Sequence, residues 1–210
     1  MGLGQNYILT LSMSHARFFS CYFCIIMILL LLILRKKGEK MQKRIVEITR
    51  IGILSALVLA ATFINFMLPL GANGGLVHLG TPVAVIATLV FGWKIGAISG
   101  AIGMTLFDIL SGWASWAPIT CFARLGFGLI LGTIAYANDK KGNNIIYNAI
   151  GIVLAGAFMI GSYYIYNIVL YRDVAAALAS IPGDILQVVM SAIIGIPISL
   201  SLKRYMKVEE

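Results

Sequence analysis

Charge is scarce in this sequence. Only 11% of the 210 residues are Asp, Glu, Lys or Arg, whereas an average soluble domain is roughly a quarter charged. A water-soluble fold of this size could not hide the 60% of residues that are hydrophobic. Histidine is scarcer still, with two in the chain, and no Cys/His/Asp cluster accompanies them, which argues against a metal site. The three cysteines, Cys21, Cys24 and Cys121, lie in apolar runs, and their odd number gives no disulfide framework. Each reads as a small hydrophobe facing lipid or core. Catalytic signatures are missing too. No G-x-x-x-x-G-K-[ST] phosphate loop, G-x-S-x-G or H-E-x-x-H motif occurs, no nucleophile stands beside a base, and nothing calls for a cofactor.

Long apolar runs are what the chain does have. Several approach or exceed the roughly 18 to 20 residues that cross a hydrocarbon core, separated by short segments carrying Gly, Pro or charge. With a mean hydropathy of +0.95, the bilayer is the solvent for most of the chain. The runs are continuously apolar instead of alternating, which selects helices over a β-barrel. The net charge of +8 does not point to nucleic acid, because the basic residues sit at helix ends.

The pattern predicts an all-α membrane protein with a six-helix body over residues 41–210. The expected helices run from Arg44 to Leu68, Pro82 to Phe91 with Thr81 as N-cap, Lys94 to Leu110, Pro118 to Ala137, Ile145 to Leu170 and Pro182 to Leu202. The second is too short to span alone, so Leu76 to Gly80 continues the crossing or dips into the protein. Cytoplasmic loops accumulate Lys and Arg. Placing Met41 inside puts Lys43, Arg44, Arg50, Lys94, Lys140, Lys141, Lys203, Arg204 and Lys207 on that side and only Arg172 on the other. Both ends of the body are therefore expected in the cytoplasm.

Residues 1–40 stand apart. Phe18 to Leu34 followed by Arg35, Lys36 and Lys37 reads at face value as an extra transmembrane helix or a signal anchor. A more economical reading is an over-extended gene start, because Lys37-Gly38-Glu39-Lys40-Met41 back-translates to a purine-rich string like a ribosome-binding site ahead of a start codon.

Polar residues within the membrane are few and costly, so each is a candidate for function. Arg124 lies six residues into the expected fourth helix, about 9 Å below its outer end, and Asp108 lies near the outer end of the third. The two either pair with each other or hold a polar ligand. Asp184, Gln187, Ser191 and Gly195 share one face of the sixth helix, where Asp184 follows Pro182 and suits the positive end of the helix dipole. Tyr163 and Asn167 share a face of the fifth, with Tyr164 and Tyr166 beside them, although tyrosines also belong to interfacial belts. Trp113 and Trp116 flank an outer loop, and His78 follows the glycine-rich first loop. Aromatic planes with a few convergent polar groups suit a small flat heterocycle.

Small residues recur at helix-packing spacing: Gly52, Ala56 and Ala60; Gly92, Gly96 and Gly100; Gly128 and Gly132. Such stripes let backbones approach, inside the bundle or against another membrane subunit.

One ordered set of motifs carries a family likeness. Gly74-Gly75-Leu76-Val77-His78-Leu79-Gly80, then Phe91-Gly92-Trp93-Lys94-Ile95-Gly96-Ala97, Gly100-Ala101-Ile102-Gly103 leading to Phe107-Asp108, and Ser111-Gly112-Trp113 with Trp116-Ala117-Pro118 resemble the S components of energy-coupling factor (ECF) vitamin transporters. The branch around riboflavin, hydroxymethylpyrimidine and pyridoxine carriers is the most similar. The resemblance implies a six-helix substrate-binding subunit of a bacterial plasma membrane that holds its vitamin near the outer face and works with a transmembrane coupling subunit and two cytoplasmic ATPases. It also implies that the stripe of Gly52, Ala56 and Ala60 contacts the coupling subunit. Thr81 stands where many relatives have Asp, and Arg124 where Lys is common.

Together these readings predict a vitamin pocket lined by Asp108, Arg124, Tyr163, Asn167, Asp184 and Gln187 and roofed by His78, Trp113 and Trp116. A pyrimidine or pyridine with hydroxymethyl groups is the first choice of ligand and riboflavin the second. The rival is a solitary ion-coupled transporter with Asp108 or Asp184 as its coupling carboxylate. For the N-terminus, intact mass of natively expressed protein should show a chain that begins at Met41; a mature chain retaining Phe18 to Leu34 would overturn the over-extended start.

Overall fold

The computed structural model describes residues 43–67 and 76–206, all within one compact unit, Gln42–Glu210. The hydrophobic segment before Met41, with Cys21 and Cys24, lies outside the described residues, as do the loop from Pro69 to Gly75 and Lys207. The described residues form six α-helices, a small hairpin and one turn of 3-10 helix (Ala137–Asp139): α1 (Lys43–Thr62), β1 (Asn65–Met67), β2 (Leu76–His78), α2 (Gly80–Phe91), α3 (Trp93–Leu110), α4 (Ala117–Ala135), α5 (Ile145–Tyr171) and α6 (Val174–Met206). All but α2 are long and apolar enough to cross a membrane. Large apolar side chains such as Ile109, Phe122, Val153, Ile165 and Val169 are exposed around the bundle, as a surface solvated by hydrocarbon requires.

Three expectations are corrected. The first helix stops at Thr62 and not at Leu68: the Asn65 side chain donates to the carbonyls of Thr62 and Phe63, at 2.9 and 3.2 Å, satisfying acceptors at the helix end. The chain then enters an antiparallel hairpin with Asn65 opposite His78 and Met67 opposite Leu76. Short apolar runs do not distinguish strand from helix by periodicity, which is how the hairpin escaped notice. The second helix begins at Gly80 with Leu79 at its N-cap and no side-chain cap, so Thr81 lies within the first turn. The last helix starts at Val174 and carries both Pro182 and Pro197 inside it. Neighbouring helices in a membrane bundle re-satisfy backbone groups that proline frees. Asp184 consequently sits nearly three turns into α6, too far from the N-terminus for the helix dipole to explain it.

α2 is the hub. Every residue from Gly80 to Val90 is buried, as expected of a helix that is apolar all round. Helices approach it and one another through glycine. A Cβ on Gly96 would lie 2.2 Å from Thr88 Cα, one on Gly128 2.4 Å from Ala97 Cα and one on Gly132 2.1 Å from Trp93 Cβ. These stripes are internal packing. The stripe on α1 differs: a Cβ at Gly52 meets nothing within 4 Å, and Gly52, Ala56 and Ala60 are exposed.

At the end of the bundle remote from the hairpin, Tyr136 donates from its hydroxyl to Leu89 O at 3.0 Å, and burial pushes its phenol up to about 12. The Lys203 ammonium lies 5.4 Å from the Tyr136 ring centroid and donates to Lys141 O. Asn148 donates to Gly142 O at 2.9 Å. Gly142 has a φ of +70°, and a side chain there would also meet Leu89 O at 2.7 Å, so glycine is required on both counts.

Gly128→Leu should cost about 1 to 3 kcal/mol from overpacking, whereas Gly52→Leu should leave stability unchanged or slightly improved. Thermal unfolding of the two variants in detergent checks this contrast.

Candidate functional site

The hairpin end of the bundle holds a cavity of about 120 Å³, lined by Thr62, Leu76, His78, Met104, Phe107, Asp108, Trp113, Trp116, Thr120, Arg124, Tyr163, Asn167, Ser180 and Asp184. These come from the end of α1, β2, the end of α3 with the loop after it, the start of α4, the end of α5 and the first half of α6. Antiparallel helices thus deliver their polar residues to one level. Eight of the nine residues expected from sequence lie on the lining. Gln187 does not.

Gln187 acts behind the wall. Its Oε1 accepts from His78 N at 2.9 Å and its Nε2 donates to His78 O at 2.8 Å, so one carboxamide pairs with a strand residue as a neighbouring strand would. The same Nε2 donates to Thr81 Oγ1. Gln187 is 2% exposed, and a buried amide of this kind is stable only when its donors and acceptor are engaged. It fixes β2 against α6 and so sets where His78 sits.

Arg124, 7% exposed, is the centre of the polar network. Its Nη1 donates to Thr81 Oγ1 and to the Met159 thioether, both at 2.9 Å. Its Nη2 faces His78 Nε2 at 3.4 Å. A guanidinium only donates, so that imidazole nitrogen presents its lone pair, and the ring hydrogen falls on Nδ1, which is buried without a partner. The Tyr163 ring centroid is 5.6 Å from the guanidinium carbon, within range of a cation–π contact. Asp108 does not pair with Arg124, and its Oδ2 is buried without a partner. Thr120 sits beside Asp108 and accepts from the Tyr163 hydroxyl at 3.3 Å. Asn167 donates to Tyr163 O at 3.1 Å and to Ser180 Oγ at 3.4 Å.

Aromatic residues close the mouth. Trp116 packs against Tyr166 with centroids 5.4 Å apart, Tyr171 at 6.1 Å and Tyr163 at 6.3 Å, and the Tyr166 hydroxyl donates to Ser115 O. Trp113 is 39% exposed at the rim. Among the described residues no group of three or more His, Cys, Asp or Glu is arranged to hold a metal ion.

The lining residues that sequence reasoning missed are Thr62, Leu76, Met104, Phe107, Thr120 and Ser180. Two were within reach. Met104 and Thr120 stand four residues before Asp108 and Arg124, one helical turn along the same face, whereas Ser180, four before Asp184, precedes the helix start expected at Pro182.

Residues 42–204 match the model of a family described as "ECF-type riboflavin transporter, S component". The chain belongs to this family. The fold agrees: a solved structure described as "Structure and mechanism of the S component of a bacterial ECF transporter" superposes with a TM-score of 0.61 at 24% identity, covering 79% of this chain and 99% of that one. No curated protein matches the sequence. The six-helix body is therefore a multi-pass membrane fold of the S-component type, a substrate-binding subunit of vitamin transport that works with an energy-coupling module.

Replacing Gln187 with Leu should cost about 1 to 3 kcal/mol, the penalty for buried polar groups left unsatisfied, and should release the His78 amide. Hydrogen exchange should show His78 N–H losing protection in the variant while the amides of α4 and α5 keep theirs.

Proposed function

We propose that this chain captures a one-ring B vitamin or vitamin precursor, a pyrimidine or pyridine bearing hydroxymethyl groups, at the outer face of a bacterial plasma membrane. Partner subunits then drive its uptake with ATP. The observation that carries this reading is the cavity itself. Its lining combines Trp113, Trp116 and Tyr163 with a small set of convergent polar groups, the composition of a site for a flat heterocycle. Its volume of about 120 Å³ compares with the roughly 150 Å³ of an engineered cavity that binds benzene, so it suits a single ring. Riboflavin is the second reading, favoured by the description of the family; three fused rings and a ribityl chain require the walls to part.

Charge placement supports the orientation. Arg44, Arg50, Lys94, Lys140, Lys141, Lys203 and Arg204 gather at the end remote from the cavity, and Arg172 is at the cavity end. Basic loops stay in the cytoplasm, which leaves the cavity facing outward and both ends of residues 41–210 inside. The open α1 stripe supports the partner assignment. Among the described residues no helix receives Gly52, Ala56 and Ala60, and a close-packing face of this kind suits a transmembrane coupling subunit, which two cytoplasmic ATPases would serve.

Ala56→Trp should bind ligand as the wild type does and lose uptake in cells carrying the coupling complex, read by titration of the purified protein and by radiolabelled uptake. Uptake that persists without the ATPases and collapses with the proton gradient would instead identify a solitary ion-coupled transporter.

A further inference from the structure

The cavity carries a guanidinium and two carboxylates, and none of the three is paired with another. Arg124 spends its hydrogens on a hydroxyl, a thioether and a neutral imidazole, and its Nε is buried with no partner. Sulfur is a weak acceptor, whereas a guanidinium gains most from an anionic one. Asp108 Oδ2 is buried and equally unpartnered, and Asp184 borders the same cavity. Opposite charges held in one low-dielectric space without meeting each other leave a site that a ligand of matching polarity completes.

We infer, on the reading of this cavity as the capture site, that the ligand is dipolar: one ring that presents an anionic or strongly polarised oxygen to Arg124 and a protonated ring nitrogen to the carboxylates of Asp108 and Asp184. A 3-hydroxypyridine is the chemical class that does this. Its phenolic proton passes to its own ring nitrogen, giving olate oxygen and pyridinium N–H on one ring with no net charge. Such a molecule engages both signs of the site without carrying net charge into the membrane. A 4-aminopyrimidine supplies donors for the carboxylates but no anionic oxygen for Arg124. An isoalloxazine offers carbonyl oxygens and an imide N–H, on a frame larger than the cavity.

The test titrates the full chain in lipid nanodiscs with pyridoxine, its 3-O-methyl ether, hydroxymethylpyrimidine and riboflavin. Pyridoxine should bind saturably, and the ether, which cannot form the olate, should bind at least about tenfold more weakly, the loss expected of a charge-assisted hydrogen bond. In Arg124→Met pyridoxine should weaken and its advantage over the ether should narrow, because the donor to the olate is gone. In Asp108→Asn pyridoxine should weaken again, while the ether, which has no phenolic proton to place on its ring nitrogen, should change little. Equal binding of pyridoxine and its ether to the wild type overturns the inference, and this arm needs no variant to fold. Binding of hydroxymethylpyrimidine or riboflavin without pyridoxine overturns it while leaving the capture reading intact. Binding of none of the compounds by folded protein overturns both.

Discussion

A guanidinium buried at membrane depth is the constraint on which this structure turns. Arg124 sits about two turns below the start of α4, 7% exposed, in surroundings where an unsatisfied charge costs several kcal/mol. The fold answers with partners drawn from three different elements: Thr81 on α2, Met159 on α5 and His78 on β2. Each partner then needs its own support. His78 is held through its backbone by Gln187 of α6, and the same Gln187 reaches Thr81. One cation thereby links α2, α4, α5, α6 and the hairpin. Neutral partners cradle the charge without cancelling it, and so leave it available to something else.

The rest of the bundle is built to bring those elements close. Helices in hydrocarbon associate by backbone approach more than by hydrophobic drive, and the glycines facing Thr88, Ala97 and Trp93 provide that approach. They place α3 and α4 against α2, which allows a twelve-residue helix to serve as the core of the body. At the far end Tyr136, Lys203 and Asn148 tie the chain after α4 to α2, α5 and α6. At the cavity end Tyr163 of α5 bonds Thr120 of α4, Asn167 of α5 bonds Ser180 of α6, and Gln187 of α6 bonds the backbone of His78 in the hairpin, so the walls of the cavity are tied to one another around it.

Much of this was legible in the sequence because lipid imposes simple rules. Continuous apolar runs gave the six helices, and the cost of intramembrane polarity singled out Asp108, Arg124, Tyr163, Asn167 and Asp184 as residues of one region. What remained hidden had a common cause. Where the residues are apolar on every side, periodicity carries no information, so the end of α1, the hairpin and the first eight residues of α6 could not be placed. Pro182 read as a helix start because proline is costly inside a helix in water, whereas here it lies within one. Gln187 was recognised as needing partners, but spacing along α6 alone could not show that those partners were the backbone of residue 78, 109 positions away.

The proposed capture site and the proposed docking face meet on α1. Its C-terminal residue Thr62 is buried at the cavity wall, while Ala56 and Ala60, within two turns of it, are exposed on the outer face. On the other side of the same helix, Leu54, Val58 and Ala61 are packed into the bundle and almost wholly buried, so this segment is close-packed on one side and open on the other. A close-packed side transmits displacement, because interiors at crystal-like density compress little. Ligand pressing on Thr62 and Leu76 therefore acts on the end of the helix whose opposite face is proposed to dock the coupling subunit. The hairpin strengthens this link, since β1 follows α1 within three residues and β2 carries both Leu76 of the wall and His78 beside Arg124. The proposed capture site and the proposed docking face thus share a single element, with no chain of remote contacts between them.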